Sequence, residues 1–137
     1  MASPTASPSR AFMLLFRNGG VETHQHLSAD ERSQYAKRWN DWYDALAAQG
    51  KVQHGSPLAL GGRLVTGPRG QKVIDGPYAE AKDVVAGYFY LTVNDLEEAT
   101  RIAQQCPGLD HGVDVEVREV VAVSPVLEDV RARPLRT

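Results

Sequence analysis

Apolar residues alternate along residues 10–17 with the period of two that is typical of a β-strand. Two apolar sets fall on opposite sides of this extended segment: Phe12, Leu14 and Phe16, and then Ala11, Met13 and Leu15. Because both sides are apolar, we expect both faces of this strand to be covered. The strongest strand signal of the chain follows at residues 85–93, where aromatic and β-branched residues dominate.

A helical period separates these two segments and returns after the second one. Ser28 and Glu31 form a capping box, and the helix that they start is predicted to end before Gly50. Its apolar residues share one helical face, and we expect that face to be buried: Tyr35, Trp39, Trp42 and Leu46. A second helix is predicted to be capped by Asn94 and to end near Cys106.

Shorter strands are predicted over residues 51–56, 63–66, 71–74 and 113–123. The middle two form a hairpin around residues 67–70, which contain two glycines and a proline. The resulting order predicts an α+β fold, a ferredoxin-like α/β sandwich (βαββαβ with an inserted hairpin) whose two helices cover one sheet face.

The other sheet face is predicted to be apolar as well. One side of the first strand lies there, together with Tyr88 and Tyr90 of the strong strand. A monomer would leave these residues in water, so we expect a homodimer formed through the open sheet face.

Length and composition bound the possible partners. The 137 residues suffice for one domain, which we place at residues 10–123 between a disordered lead-in, 1–9, and a C-terminal tail, 124–137. A net charge of −2 argues against a nucleic-acid partner. The apolar run at residues 11–16 is too short for a signal peptide or a membrane span, so we predict a cytoplasmic protein without a membrane partner.

A motif after the hairpin carries a family resemblance. The run Asp75-Gly76-Pro77-Tyr78-Ala79-Glu80-Ala81-Lys82, followed by Gly87-Tyr88, resembles the signature of the DGPF-type, YCII-related family. Further blocks in the same order support the resemblance: Gly55-Ser56-Pro57-Leu58, Asp95-Leu96-Glu97-Glu98-Ala99 and Val115-Glu116-Val117-Arg118. The resemblance implies a dimeric α+β barrel built from ferredoxin-like subunits.

The resemblance implies two classes of function. Some relatives are enzymes, or proposed enzymes, that use a His–Asp pair, but the first-helix position that matches their histidine is Trp39 here. That chemistry is therefore not carried over to this chain. Members of the family are also often encoded beside sigma-factor-like regulators, which implies a non-catalytic regulatory or protein-interaction module as the alternative.

Two residues form the best acid–base candidate that the sequence offers. His54 ends the second predicted strand, and Asp75 precedes the Gly-Pro corner. If they face one cleft, the carboxylate can orient the imidazole and raise its basicity. The structural alternatives are that His54 is a surface or interface histidine and that Asp75 stabilises its turn by accepting hydrogen bonds from backbone amides. Arg38 and Tyr88 complete the predicted ligand-binding set; Arg38 can bind a small anion, although a solvated helix arginine is the ordinary interpretation.

The remaining candidates favour structural roles. His24 and His26 are spaced like a metal clip but lack a third ligand, so solvated loop histidines are the ordinary interpretation, as for His111. Cys106 is expected to be a small semi-buried residue, since no spacing supplies a base for it. We predict no metal and no cofactor. The sequence thus predicts a small dimer with a small-molecule cleft between sheet and hairpin, and it leaves open whether a reaction is catalysed.

Overall fold

The computed structural model describes residues 9–18, 24–76 and 84–133 of the chain. Its helices and strands follow in the order β1 (Arg10–Arg17), α1 (Ala29–Ala48), β2 (Val52–Pro57), β3 (Arg63–Thr66), β4 (Lys72–Asp75), β5 (Val85–Val93), α2 (Leu96–Ala103) and β6 (Asp114–Val120). The predicted α+β class is confirmed. No helix in these residues is long and apolar enough to cross a membrane.

The main sheet has four antiparallel strands in the order β2-β5-β1-β6, with β1 between β5 and β6. Leu14 lies opposite Phe89 on one side and Val117 on the other, so these three side chains share a face. Within the described residues, strands β3 and β4 pair with each other and with no other strand, and they form the predicted hairpin.

The core lies between one sheet face and the two helices. It contains buried residues of the strands and of both helices: Phe12, Leu14, Phe16, Phe89, Leu91 and Val93, with Trp42, Leu46, Ala99, Ile102 and Ala103. Phe12, Leu14 and Leu91 are fully buried. Each such side chain stabilises the fold by about 1.5–3 kcal/mol relative to its exposed state.

The opposite sheet face, called the open face here, carries the alternate residues of β1 and β5: Ala11, Met13, Leu15, Tyr88, Tyr90 and Thr92. These side chains are half-buried, whereas their neighbours on the helix face are buried. Met13 lies opposite Tyr90, and Leu15 lies opposite Tyr88. The predicted alternation of two apolar sets in β1 is thus confirmed.

The helix ends show one correct and one wrong prediction. The capping box of α1 is present, since Ser28 Oγ accepts a hydrogen bond from the Glu31 amide at 3.1 Å and Glu31 Oε1 accepts one from the Ser28 amide at 2.9 Å. The cap of α2 is Asp95, not Asn94. The Asp95 carboxylate accepts from the Glu98 amide at 2.8 Å, and the Asn94 amide instead donates to Glu98 at 2.9 Å.

The last elements are shorter than predicted. Helix α2 ends at Ala103, and a short 3-10 helix, Pro107–His111, follows it. Strand β6 ends at Val120, and Val123, the last residue of the predicted strand, forms an isolated bridge with Arg131 of the predicted tail. The predicted lead-in lies outside the described residues except for residue 9, and so do residues 134–137.

Cys106 is buried rather than semi-buried, with 4% of its surface exposed. Burial raises the pKa of its thiol to about 11, so the group is a neutral thiol near neutral pH. A nucleophilic role would need the thiolate. Cys106 is therefore a core residue, in line with the interpretation that the sequence favoured.

Candidate functional site

A cavity of about 550 Å³ lies between the middle of α1 and one end of the main sheet. Four residues of α1 line it: Tyr35, Trp39, Asn40 and Tyr43. The sheet contributes the end of β1, the end of β2 and the start of β5, through Phe16, Gly55, Ser56, Pro57, Ala86, Gly87 and Phe89. His24 and Val113 complete the described lining.

Two glycines shape the floor of this cavity. A Cβ atom at Gly55 would lie 2.6 Å from Cδ1 of Phe89, and one at Gly87 would lie 2.9 Å from the carbonyl oxygen of Ser56. Real Cβ atoms do not approach other atoms so closely, so only glycine fits here without movement. The two positions therefore let the Phe89 ring lie close to the β2 backbone and leave the space below α1 unfilled.

Trp39 forms the aromatic wall of the cavity. Its ring meets Phe16 edge to face at 4.9 Å between centroids, and it lies 5.6 Å from Trp42 and 6.2 Å from Phe89. The prediction that the whole helical face is buried is corrected here. Trp42 and Leu46 are buried, but Trp39 is half-buried, because it lies above the end of the sheet where the glycines leave space.

A hydrogen-bonded pair lies at the same cavity. His24 Nε2 is 3.0 Å from the hydroxyl oxygen of Tyr35, and the two rings stack with centroids 4.9 Å apart. His111 packs against Tyr35 at 4.3 Å. The interpretation of His24 and His111 as solvated loop histidines is therefore wrong, since both are half-buried in ring contacts. Burial raises the pKa of Tyr35, which keeps its hydroxyl protonated.

The predicted ligand-binding residues lie elsewhere. His54 is on the open face, with Nδ1 3.1 Å from the Tyr88 hydroxyl and its ring stacked on Tyr90 at 5.0 Å. Asp75 ends β4 and pairs with Arg63 at 3.1 Å, with 82% of its side chain exposed. The structure thus brings His54 and Tyr88 together, but it gives His54 and Asp75 separate partners. A cleft shared by His54 and Asp75 stays a prediction.

Arg38, the fourth predicted residue, is exposed on α1 and lies 3.5 Å from a carboxylate oxygen of Asp110. It does not line the described cavity. Glu80 and Lys82 of the family motif lie outside the described residues. His26 is exposed, and among the residues that the structure describes no three His, Cys, Asp or Glu side chains form a group that could hold a metal ion.

Comparison with known proteins identifies the family. The family model of the YCII-related domain matches residues 14–124, which is most of the chain. The chain belongs to the YCII-related family. Among curated proteins, no sequence matches this one. The predicted membership of the YCII-related family is confirmed.

In this YCII-related protein, the helix position that corresponds by resemblance to the histidine of the His–Asp relatives carries the cavity-wall residue Trp39. The imidazole that lines the cavity comes instead from His24, and its hydrogen-bond partner is a tyrosine. The sequence showed Tyr35 and Trp39 on one helical face, but it gave no signal that His24, eleven residues earlier, would pack on Tyr35.

Proposed function

We propose that this YCII-related protein binds a small organic molecule in the cavity below α1. The supporting observation is the cavity itself, whose volume of about 550 Å³ lies within the range of known ligand sites. Its lining is mainly aromatic and apolar, with a few polar groups of the kind that orient a bound ligand.

We also propose that the protein is a cytoplasmic homodimer formed through the open face, so that two ferredoxin-like sheets make a dimeric α+β barrel. The strand order β2-β5-β1-β6 with two helices on one face supports the ferredoxin-like arrangement. The interface is supported by half-buried side chains of the open face, Met13, Leu15, Tyr88 and Tyr90, because a second copy would remove their remaining apolar surface from water.

A second candidate function is a regulatory or protein-interaction module without catalysis, linked by the family resemblance to sigma-factor-type transcription regulation. The hairpin of β3 and β4 favours it. Val65 and Val73 lie opposite each other on one side of it, and both are exposed, Val65 over 61% of its surface. Exposed apolar clusters of this kind mark contact surfaces for other proteins.

A binding screen against the full chain tests the first proposal. Neutral, planar fragments are added to isotope-labelled protein, and the indole N–H signals of Trp39 and Trp42 are followed by NMR. We expect binders that shift the Trp39 signal and lose at least about tenfold in affinity in Trp39→Ala, since a stacking wall is removed. Gln34→Ala, on the exposed part of the same helix, is the matched control and should bind as wild type. A screen without any binder at Trp39 would overturn the proposal.

A further inference from the structure

The cavity lining carries polar groups but no formal charge. Among the described residues that line it there is no Lys, Arg, Asp or Glu, and the polar side chains belong to His24, Tyr35, Asn40, Tyr43 and Ser56. A carboxylate or phosphate, which is already ionised in water, would lose its hydration on entering such a site without meeting a permanent opposite charge. The lining therefore favours a neutral ligand.

The shape of the lining favours a flat ligand. The rings of Phe16 and Phe89 meet the Trp39 ring at nearly right angles, 88° and 86°, and Tyr43 packs on Phe89 at 5.2 Å. All four of these aromatic side chains line the cavity, and an aromatic ligand can pack against such rings edge to face or in an offset stack.

We propose that the ligand is a neutral hydroxyarene, and that Tyr35 and His24 form the pair that takes up its hydroxyl proton. This inference rests on the proposed function, because it assigns a chemical class and an acid–base pair to the same cavity. Both side chains line the cavity, and their polar atoms are 3.0 Å apart, within the distance over which a proton passes along a hydrogen bond.

The transfer balances without any other reactant. The O–H bond of the ligand breaks as a new O–H bond forms on Tyr35, and the original O–H bond of Tyr35 breaks as an N–H bond forms at Nε2 of His24. The products are an arenolate and an imidazolium. Tyr35 begins and ends as a neutral phenol, in agreement with the raised pKa that burial gives it.

Several titratable groups surround Tyr35 and His24, and only some of them could accept the ligand's proton in place of His24. His111 is in contact with Tyr35, and Glu31 interacts electrostatically with His111. Cys106, Arg38 and Asp110 act electrostatically on Tyr35. Arg38 and Asp110 pair with each other, and burial keeps the Cys106 thiol neutral. His111, whose ring is 5.9 Å from that of His24, is the remaining imidazole and supplies the control.

The probe is 4-nitrophenol, whose anion absorbs visible light and whose neutral form does not. Its methyl ether, 4-nitroanisole, has the same ring but no proton to give. With saturating wild-type protein at a pH one unit below the pKa of the free probe, we expect the bound probe to be largely arenolate. In His24→Gln the ratio of bound arenolate to bound phenol should fall at least about tenfold, because the positive charge that stabilises the arenolate is removed. In Tyr35→Phe the ratio should fall as well, because the arenolate loses the hydroxyl that donates a hydrogen bond to it and connects it to His24. His111→Gln should keep the wild-type ratio.

Two further measurements complete the test, one of ligand affinity and one of the protonation of His24. Binding of 4-nitroanisole should change less than about threefold in either variant of the pair. In the unmodified protein, 4-nitrophenol should move the His24 Nε2 nitrogen signal to the protonated position, a reading that does not depend on the variants folding.

The outcomes separate the two proposals. If 4-nitrophenol binds at Trp39 with the same arenolate ratio in all proteins, or if the Nε2 signal does not move, the acid–base pair is overturned. If neutral fragments bind but hydroxyarenes do not, the ligand class is overturned, and the cavity remains a binding site. A complete lack of fragment binding would instead remove the proposed function.

Discussion

Trp39 and Phe16 meet edge to face, with ring centroids 4.9 Å apart and ring planes at 88°. This contact joins α1 to β1, and the same two rings form part of the cavity lining. We therefore expect this pair of side chains to affect both the stability of the fold and the proposed ligand binding.

Trp39→Ala should lower the free energy of unfolding by about 2 kcal/mol, less than the cost of truncating a fully buried tryptophan, because Trp39 is half-buried. Trp39→Phe keeps a ring against Phe16 and should cost less than the alanine variant. Urea denaturation measures both. An alanine variant as stable as wild type would show that the ring contacts of Trp39 do not support the fold.

Gly55→Ala should destabilise the protein by about 1–3 kcal/mol, since the new methyl group would lie 2.6 Å from the Phe89 ring and 2.8 Å from the carbonyl oxygen of Tyr88. Gly62→Ala is the matched control, because a methyl group there would contact nothing within 4 Å. The melting temperatures of the two variants, measured by thermal unfolding, test this prediction. Equal melting temperatures would contradict the close approach of β2 to Phe89.

Glu98 should contribute a pH-dependent part of the stability. Its side chain is only 15% exposed, and the backbone amide of Asn94, followed by Lys51 at 3.0 Å, holds its pKa below the usual value. A carboxylate whose pKa is lowered by folding stabilises the fold above the pKa of the unfolded chain, about 4.3 for glutamate. That stability is lost as the pH falls through the lower, folded value.

Glu98→Gln should accordingly cost about 1.5 kcal/mol at pH 7, and its difference from wild type should shrink toward pH 3. Glu97→Gln, at an exposed position in the same first turn of α2, should change stability little at either pH. Chemical denaturation at the two pH values measures the difference. A cost that is independent of pH would mean that the charge of Glu98 is not involved.

The open face should hold two copies together. Light scattering of the wild-type protein should give twice the chain mass of 15.0 kDa. Tyr90→Glu places a charge opposite Met13 on this face and should shift the protein to monomer without unfolding it, because a buried unpaired charge is costly. Leu96→Glu, an equivalent change at an exposed position of α2, should remain dimeric. A stable wild-type monomer at micromolar concentration would refute the dimer.

The fold could be predicted in good part because its signals are local. The alternation in β1 and the capping box of Ser28 depend on residues within a few positions of each other, and both appear in the structure. The cap of α2 was misassigned between adjacent residues, Asn94 and Asp95, either of which can supply a side-chain oxygen.

The candidate site could not be predicted in the same way, because it depends on contacts between distant segments. His54 and Asp75 looked related through their turns, yet each has a different partner in the structure. His24 was assigned to solvent, since nothing in its own surroundings indicates that it packs on Tyr35. The space below Trp39 arises from Gly55 and Gly87, whose effect is visible only once β2 and β5 are paired.

The most direct test of the account is to locate a bound ligand. Intermolecular nuclear Overhauser effects are recorded between a neutral planar fragment from the screen and the aromatic protons of the full-length protein. We predict contacts to Trp39, Tyr35 and Phe16, which line the cavity on the helix side of the sheet. Contacts to His54 and Tyr90 instead would place the ligand on the open face, and they would contradict the cavity as the binding site.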